Sequence, residues 1–451
     1  MKILIIETTP ATPHAETALE IGLKENNAGS EVIYCPIFQL LPQLIWMSNI
    51  NGNNNKASNN TTTDWLNYLT SIANKFSTII IPDLSTIDRH LPLNEINKNP
   101  LELIHDNQNF GKLVFANLVE LIRDTEEIKI LENYDLSIKL ALTACISYEI
   151  SKFLINQHNP DKIVFFNGRT IETFPIYLAA KKSNIFTIIH ERGPTKNHFT
   201  LWNNPPQYIK TYSENIQKFS LGRNEDARRL SASIFYSRQK SAKLSTMNYI
   251  NSKLNHNQPL ILESLSDKFI VFYTSSNWEI ESMPNQIFSN GLGDQYEVVR
   301  KLSVICKQLA IQFVLRLHPN SSKTEIARFN DLSEKNDILL IKPTSSTSSY
   351  DLAENAYRIF TFGSTLTWEL MFNNIHCAVL SLSVGTDFNG VCELKDTNSI
   401  IEYITNDLPA VNKSFSLLFA DFMQNYGERY DYYKPSSLFS GVFNFELERA
   451  T

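Results

Sequence analysis

Residues 2–205 alternate short, continuous apolar runs with longer segments of mixed polarity. Continuous apolar runs are typical of strands buried on both faces of a parallel sheet, and the segments between them are compatible with helices. Strands are predicted at 2–7, 31–35, 77–82, 162–166 and 185–190, and helices at 14–27, 64–75, 101–124, 136–157 and 172–183. This alternation predicts a doubly wound α/β domain.

The same alternation resumes at residue 269, after a stretch with no strand signal. Strands are predicted at 269–273, 311–317, 337–341, 358–362 and 376–381, and helices at 294–309, 323–334, 365–373 and 412–426. The charged segment 223–253 is compatible with helix, whereas the asparagine-rich segment 49–60 predicts a polar loop. We therefore predict an α/β protein with two Rossmann-like domains facing across a cleft. They are an N-terminal domain over 1–205, a helical connector over 206–263 and a C-terminal domain over 264–451 with C-terminal helices.

Composition narrows the function class. The 451 residues carry a net charge of −6, which argues against a nucleic-acid binder that works by bulk positive charge. Five scattered cysteines without a C-x-x-C pair support neither a zinc site nor a disulfide framework, and they fit a reducing cytoplasm. No apolar run reaches the length of a membrane span. We expect a cytoplasmic protein, with peripheral contact to the inner membrane through the aromatic-rich segment 430–443 or, alternatively, with that segment packed on a domain.

Polar clusters follow three predicted strands of the second half. In open α/β sheets ligands bind beyond the carboxyl ends of the strands, so these positions are candidates for a binding site. The candidate residues there are Ser275, Ser276, Glu279, Arg316, His318, Pro319, Gly363, Ser364, Thr365 and Glu369.

The segment from Gly363 to Glu369 is the most informative of these. A glycine permits a tight turn, and Ser364 with Thr365 places hydroxyls where a helix starts and can hold a phosphate. Glu369 lies about 6 Å further along the same helical face, close to the spacing between a nucleotide's phosphates and its ribose. The alternatives are an ordinary N-cap for the hydroxyls, a solvated face for Glu369 and a strand-ending turn for His318-Pro319.

The first half presents different side chains at its strand ends. His14 and Glu16 follow the first strand, Asn167 and Arg169 follow 162–166, and Glu191 and Arg192 follow 185–190. This asymmetry indicates that the second domain holds an anionic nucleotide and the first carries acceptor recognition and proton transfer. A helix-capping role for His14 and a local ion pair between Glu191 and Arg192 are the alternatives.

Taken together, these motifs resemble the GT-B glycosyltransferases of bacterial surface-polysaccharide synthesis, especially the capsule polysaccharide biosynthesis type. The motifs are Thr12-Pro13-His14-x-Glu16, Phe166-Asn167-Gly168-Arg169, Glu191-Arg192-Gly193, Ser275-Ser276 with Glu279, Arg316-Leu317-His318-Pro319-Asn320, Tyr350, and Gly363-Ser364-Thr365 with Glu369. The His-Pro pair and the later Ser/Thr pair are also similar to the donor motifs of bacterial sialyltransferases and Kdo transferases, which use CMP-sugars. Trp368-Glu369-Leu370 departs from the many relatives that have a small residue after the glutamate.

The resemblance implies a metal-independent glycosyltransferase that needs no cofactor and uses a nucleotide-sugar donor, a CMP- or UDP-sugar. The acceptor would be a glycan or a lipid-linked glycan, and other polysaccharide-synthesis enzymes are possible partners. Ser364, Thr365, Arg316 and His318 would stabilise the departing phosphate. His14 is the first choice for the general base, followed by Glu191 and Glu16, and we expect inversion at the anomeric carbon.

Three other functions fit the same sequence. A polyol-phosphate transferase that uses a CDP-alcohol shares the His-Pro and Ser-Ser features. A sugar-nucleotide 2-epimerase uses the same two-domain fold without a separate acceptor. A non-catalytic partner in a polysaccharide-assembly complex would bind a nucleotide without turnover.

Overall fold

The computed structural model describes residues 1–45, 62–240, 263–284, 286 and 288–444. The predicted loop at 49–60 and the part of the predicted helical connector beyond residue 240 lie outside the described residues.

Strands and helices alternate through both halves, as the hydrophobic pattern predicts. The strands are β1 (Lys2–Glu7), β2 (Glu31–Pro36), β3 (Thr78–Ile79), β4 (Ile104–His105), β5 (Gln108–Asn109), β6 (Lys162–Phe166), β7 (Phe186–Arg192), β8 (His198–Trp202), β9 (Phe269–Tyr273), β10 (Gln312–Arg316), β11 (Leu339–Ile341), β12 (Arg358–Thr361), β13 (Ala378–Val379), β14 (Cys392–Glu393), β15 (Glu428–Arg429), β16 (Tyr433–Pro435) and β17 (Gly441–Phe443). The helices are α1 (His14–Asn27), α2 (Thr62–Ala73), α3 (Leu93–Lys98), α4 (Phe110–Ile122), α5 (Glu127–Glu132), α6 (Tyr134–His158), α7 (Phe174–Lys182), α8 (Ile209–Ser220), α9 (Glu225–Lys240), α10 (Asn277–Glu281), α11 (Gln295–Gln308), α12 (Lys323–Asn336), α13 (Ser349–Asn355), α14 (Leu366–Phe372), α15 (Thr397–Thr405) and α16 (Ser414–Asn425).

Both large sheets have the Rossmann strand order. The first runs β15-β8-β7-β6-β1-β2-β3 and the second runs β11-β10-β9-β12-β13-β14. Counted by their order within each sheet, six strands of each follow the order 3-2-1-4-5-6. The second sheet is parallel throughout, whereas in the first sheet β8 runs antiparallel to both of its neighbours, β7 and β15. The prediction of an α/β protein with two Rossmann-like domains is confirmed.

The C-terminal segment returns to the first sheet. Phe415 and Phe422 of α16 and Tyr433 are buried in the same core as β1, β2 and β6. Beyond α16, β15 pairs with β8 at Glu428↔Phe199 and Arg429↔His198. The core of the first half is therefore completed by residues far along the chain. The boundary at residue 264 stays a prediction.

A buried carboxylate on α1 fixes this returning segment. Glu20 is fully buried, and its oxygens accept hydrogen bonds from three consecutive backbone N–H groups, those of Asp431 (2.6 Å), Tyr432 (3.1 Å) and Tyr433 (2.8 Å). Lys24, one turn further along α1, lies 3.0 Å from the carboxylate of Asp431. We call residues 428–433 the C-terminal strap.

Some elements differ from the sequence-based prediction. The helix predicted from residue 101 begins only at Phe110, because the hairpin of β4 and β5 precedes it, with Asp106 and Asn107 at positive φ in its turn. The strand predicted at 77–82 is limited to Thr78–Ile79 and the one at 376–381 to Ala378–Val379. β3 is the edge strand of the first sheet, and β13 lies next to the edge strand β14 of the second.

Candidate functional site

The crevice of the second sheet lies between β9 and β12, where the strand order reverses. In doubly wound sheets the connections on either side of this point run to opposite faces, which leaves room for a ligand. The loop after β9 meets the loop after β12 here, because the Ser275 hydroxyl donates to the carbonyl of Phe362 at 2.6 Å. The Ser275 N–H is held in turn by the side-chain oxygen of Gln295 at 2.7 Å.

The turn after β12 has the geometry that its sequence predicts. Gly363 adopts φ +75°, and a Cβ at that position would lie 2.9 Å from the Ser381 hydroxyl, so only glycine fits without displacement. The Ser364 hydroxyl accepts the N–H of Leu366 at 3.2 Å, and Thr365 is exposed. The turn therefore leaves Thr365 open to solvent beside the crevice.

The loop after β10 completes this group of residues. His318 donates its backbone N–H to the Thr274 hydroxyl at 2.9 Å, and its Nδ1 lies 3.8 Å from a carboxylate oxygen of Glu279. Burial lowers the pKa of His318, and the Glu279 carboxylate opposes that shift. Asn320 ties the loop to both sides of the site, since its amide donates to Glu279 at 2.8 Å and its carbonyl accepts the Ser276 hydroxyl at 3.4 Å. Pro319 is the intervening residue of the turn.

Two of the predicted donor residues are held by neighbours in their own domain. The Arg316 guanidinium is buried and donates to the carbonyl of Lys342 at 2.7 Å, and burial lowers its pKa. The Glu369 carboxylate is 7% exposed and accepts a hydrogen bond from the Tyr350 hydroxyl, whose pKa is raised by burial and by that carboxylate. Contact of either residue with a donor stays a prediction.

The first sheet has its own crevice, between β1 and β6, and His14 lies there. His14 begins α1, is 2% exposed and packs with its ring centroid 3.9 Å from that of Phe166. Its pKa is well below the usual range, chiefly because it is buried and also because Arg192 and His190 repel a positive charge. His14 is therefore a neutral, enclosed imidazole at pH 7.

Glu191 lies at the same edge of the sheet and is half-buried. One carboxylate oxygen accepts the side-chain amide of Asn167 at 2.8 Å, and the other accepts the backbone N–H of Arg192 at 3.0 Å. Asn167 is in the left-handed region at φ 60°, which turns its side chain toward Glu191. Burial raises the pKa of Glu191, against these hydrogen bonds and the nearby arginines.

The two remaining predicted residues of the first half have local partners. Glu16 is buried, accepts the Thr12 hydroxyl at 2.9 Å, and has a pKa raised by burial. Arg169 makes a bidentate ion pair with Glu120 on α4: its two Nη atoms lie 2.7 and 2.8 Å from the two carboxylate oxygens. Sequence reasoning could not identify that partner, because Glu120 lies on a helix between two strands.

Three further buried polar residues of the first sheet, Glu7, Tyr34 and His190, are not among the predicted site residues. Glu7 is 1% exposed, and burial raises its pKa to about 8. The hydroxyl of Tyr34 and both ring nitrogens of His190 have no hydrogen-bond partner among the described residues, and burial lowers the pKa of His190 to about 3. The sequence signal for Glu7 is a carboxylate that ends an otherwise apolar strand, and by itself this signal indicates no role in a site.

The end of α4 links the two halves of the site. Glu120 holds Arg169 beside the first crevice, while Arg123 lies with its guanidinium 5.7 Å from the Trp278 ring beyond β9. Next to Arg123, the Asp124 carboxylate accepts the Thr324 hydroxyl at 2.7 Å. The carboxyl-end loops of the second sheet thus contact the first domain at the helix that also orders the first crevice.

The chain is similar to GT-B nucleotide-sugar enzymes. One is a UDP-GlcNAc 2-epimerase of Methanocaldococcus jannaschii, at 13% identity over 93% of this chain and 98% of that chain, with a TM-score of 0.29. Another is KpsC, a beta Kdo 2,4 transferase of Thermosulfurimonas dismutans, at 10% identity over 58% of this chain and 79% of that chain, with a TM-score of 0.38. A third is MurG of Acinetobacter baumannii, at 11% identity over 97% of each chain, with a TM-score of 0.29. Such low scores define no residue-by-residue correspondence.

No protein-family model and no curated protein matches the chain. Within the described ranges, no helix is both long enough and apolar enough to cross a bilayer. In the aromatic-rich segment 430–443, Tyr430 and Tyr433 are buried in the core of the first half, whereas Leu438 and Phe439 are exposed.

Proposed function

We propose that the protein is a glycosyltransferase that moves a sugar from a CMP- or UDP-sugar to a glycan or lipid-linked glycan acceptor. The observation that carries this proposal is the pair of polar crevices at equivalent reversal points of two Rossmann sheets. One is lined by hydroxyls and an imidazole and suits a nucleotide, and the other is lined by carboxylates and histidines and suits proton transfer. Contacts of Arg123 and Asp124, directly after α4, with Trp278 and Thr324 join the two domains beside these crevices.

The nucleotide would occupy the crevice between β9 and β12. Thr365 is exposed there. His318 contacts the loop after β9 through its backbone hydrogen bond to Thr274, and Ser275 of that loop contacts the turn after β12. Hydroxyls and an imidazole N–H donate hydrogen bonds to phosphate oxygens, and fixed donors aimed at a departing phosphate stabilise the charge that develops on it. We therefore propose that hydrogen-bond donors of the protein hold the leaving nucleotide. We also propose that the reaction needs no metal and no other cofactor.

Glu191 is the better candidate for the general base. It is half-buried and its pKa is raised, so it accepts a proton more readily near neutral pH than an ordinary carboxylate does. His14 is enclosed behind Phe166, and its lowered pKa makes it a weak base. In this mechanism the acceptor hydroxyl gives its proton to Glu191 as its oxygen bonds to the anomeric carbon, and the bond from that carbon to the phosphate oxygen breaks with the electron pair leaving on the nucleotide.

The test begins with binding. Thermal unfolding is followed with CMP, CDP, UDP and GDP, because a ligand that binds the native state raises the melting temperature. His318→Gln should reduce the shift given by the nucleotide that binds, whereas His376→Gln, a matched change in the same domain, should not. If no nucleotide raises the melting temperature, the proposal fails.

Turnover then separates the candidate functions. Each donor, including UDP-GlcNAc, CMP-sugars and CDP-glycerol, is incubated with and without a glycan acceptor and followed by NMR. Release of the nucleotide that depends on the acceptor supports a glycosyltransferase. A second epimer formed from UDP-GlcNAc alone identifies an epimerase, release from CDP-glycerol identifies a polyol-phosphate transferase, and binding without turnover identifies a non-catalytic partner.

A further inference from the structure

One arginine of the first domain lies against the crevice loops of the second. Arg123 follows α4, and its guanidinium lies 5.7 Å from the centre of the half-buried Trp278 ring, within the range of a cation–π contact. Trp278 belongs to α10, which begins directly after the loop that follows β9. Its indole N–H donates to the carbonyl of Asn320 at 2.8 Å, and the N–H of Asn320 donates to Nδ1 of His318 at 3.2 Å. A short series of contacts therefore connects Arg123 with the loop that carries His318.

The position of Arg123 is fixed from both sides. The carboxylate of the next residue, Asp124, accepts the Thr324 hydroxyl of α12 at 2.7 Å, which holds this end of α4 against the second domain. The indole on which the guanidinium lies is fixed as well, by its hydrogen bond to the loop after β10. The side chain of Arg123 is therefore held beside the second crevice by its own domain and by the opposite one.

The positive charge of Arg123 is accessible. The residue is exposed, and none of the ion pairs among the described residues includes it. The neighbouring carboxylate is engaged by the hydrogen bond to α12. A guanidinium that lies over an aromatic ring uses its face, so the N–H groups along its edge can still donate to an acceptor.

The second domain supplies little positive charge to the phosphate region that we propose. The hydroxyls at its turns are neutral, burial lowers the pKa of His318 so that the imidazole is uncharged at pH 7, and Glu279 adds a carboxylate. Arg316, the cation predicted for this region, is 3% exposed and donates to a loop carbonyl of its own domain. Because a nucleotide phosphate is negatively charged at pH 7, its binding requires a cation that can reach it.

We infer that Arg123 is a donor-binding residue whose guanidinium binds a phosphate oxygen of a nucleotide in the crevice between β9 and β12. The inference rests on the proposed function for the presence of a nucleotide there. It makes the site of the second domain incomplete by itself, because the positive charge comes from the first domain. The affinity for a nucleotide then depends on how the two domains are arranged.

The alternative is an interdomain contact without a ligand. In that case the contact of Arg123 with Trp278 would stabilise the domain arrangement and would affect every ligand of the crevice alike. A phosphate contact differs, because the guanidinium pairs with the charged phosphate and not with the base or the ribose. A comparison of one nucleotide with its own nucleoside separates the two roles.

The experiment titrates the full chain with ligands that differ only in the phosphate. The nucleotide is the one of CMP, CDP, UDP and GDP that raises the melting temperature most, and the second ligand is its nucleoside at millimolar concentration, followed by NMR. Arg123→Gln should weaken binding of the nucleotide about tenfold, which corresponds to about 1.4 kcal/mol, and leave binding of the nucleoside unchanged. The loss of nucleotide affinity at high salt should also be smaller in Arg123→Gln than in the wild type, because one charge contact fewer is screened.

Two further variants serve as controls. Lys112→Gln removes a positive charge from the first turn of the same helix, about 16 Å from Arg123 at about 1.5 Å per residue, and should leave nucleotide binding unchanged. Arg123→Lys keeps the charge and loses the planar fork of N–H groups. Its affinity for the nucleotide should lie between those of the wild type and Arg123→Gln.

The outcomes distinguish this inference from the proposed function. Equal nucleotide affinity of the wild type and Arg123→Gln overturns the inference and keeps the proposed function. Equal weakening of nucleotide and nucleoside shows a structural role and also overturns the inference. If no nucleotide binds the wild type, both are wrong. Arg123 has φ 55°, a conformation that asparagine adopts readily, so Arg123→Asn takes the place of Arg123→Gln if the latter lowers the melting temperature.

Discussion

At the residue scale, buried carboxyl groups determine how stability depends on pH. Burial raises the pKa of Glu7 and of Glu172 to about 8, from a usual value of 4.5. Between pH 5 and 8 the folded protein therefore keeps protons that the unfolded chain releases. The stabilisation that these two carboxyl groups contribute is highest below that window and falls as the pH rises through it, by at most about 1.4 kcal/mol per pH unit for each group.

Glu172→Gln tests this prediction, because an amide mimics the neutral carboxyl. The variant should match the wild type in unfolding free energy at pH 5 and exceed it increasingly up to pH 8, as measured by urea unfolding. Glu132→Gln at an exposed position should show no such trend. A constant difference between Glu172→Gln and the wild type across the window contradicts the prediction.

The choice of the general base is a second prediction at this scale. Glu191→Gln should lower turnover by about 10²–10⁴-fold, the usual contribution of general-base catalysis, with nucleotide binding nearly unchanged. His14→Ala should lower turnover less, because the enclosed imidazole acts on the site through Phe166 and its charged neighbours. Steady-state rates at saturating donor measure both variants. If His14→Ala lowers turnover more than Glu191→Gln does, His14 is the general base.

How far the site could be predicted from sequence also depends on the residue. Ser275, His318 and Gly363 could be placed because strand ends are readable from the hydrophobic pattern, and strand ends meet at one edge of a sheet. The partners of Arg169 and Arg316 could not be predicted. Arg169 forms an ion pair with Glu120 on a helix, and Arg316 donates a hydrogen bond to the backbone carbonyl of Lys342 in a distant loop. Side-chain partners of this kind are set by tertiary packing.

At the scale of elements, the C-terminal strap is held chiefly by one carboxylate. Glu20→Ala removes the acceptor of three backbone N–H groups and should lower the unfolding free energy by about 2–4 kcal/mol, given about 1.5–3 kcal/mol for each hydrogen bond to a charged group and incomplete additivity. Hydrogen exchange should show protection lost at Asp431–Tyr433.

The matched control is Glu25→Ala on the same helix. Glu25 makes a partly exposed ion pair with Lys162 at 3.1 Å, so its loss should cost no more than about 1 kcal/mol. Equal destabilisation by the two variants would show that the strap does not depend on Glu20.

The elements that sequence reasoning missed share a physical cause. β8 is a five-residue strand that follows β7 after only five residues, and β15 has only two residues, so neither stands out as a separate long apolar run. β8 forms as an antiparallel strand on the edge of β7, and β15 then pairs antiparallel with β8. The long buried strands β1, β6 and β9 were predictable because their apolar runs need no partner to be recognised.

At the scale of the whole molecule, the hydrogen bond from the Thr324 hydroxyl to the Asp124 carboxylate joins the two domains near the site. Thr324→Val removes the bond to Asp124, which is worth about 0.5–1.5 kcal/mol, and should shift the molecule toward a more open arrangement. Small-angle scattering should report a larger radius of gyration without added nucleotide. Thr405→Val, a surface change in the second domain, should leave it unchanged. An unchanged radius for Thr324→Val would show that other contacts set the domain arrangement.

The attachment of the strap to α1 also orders events during synthesis. At roughly 5–20 residues per second, the 411 positions that separate Glu20 from Asp431 take about 20–80 s to translate. Throughout that interval the nascent first domain carries a buried carboxylate without its N–H partners and an unpaired edge at β8, and unpaired edges are templates for aggregation. We therefore expect a truncation or frameshift near residue 428 to damage the first domain, although residue 428 lies far along the chain from the strands of that domain. We also expect the first domain to depend on chaperones during translation, because the segment that completes it is synthesised late.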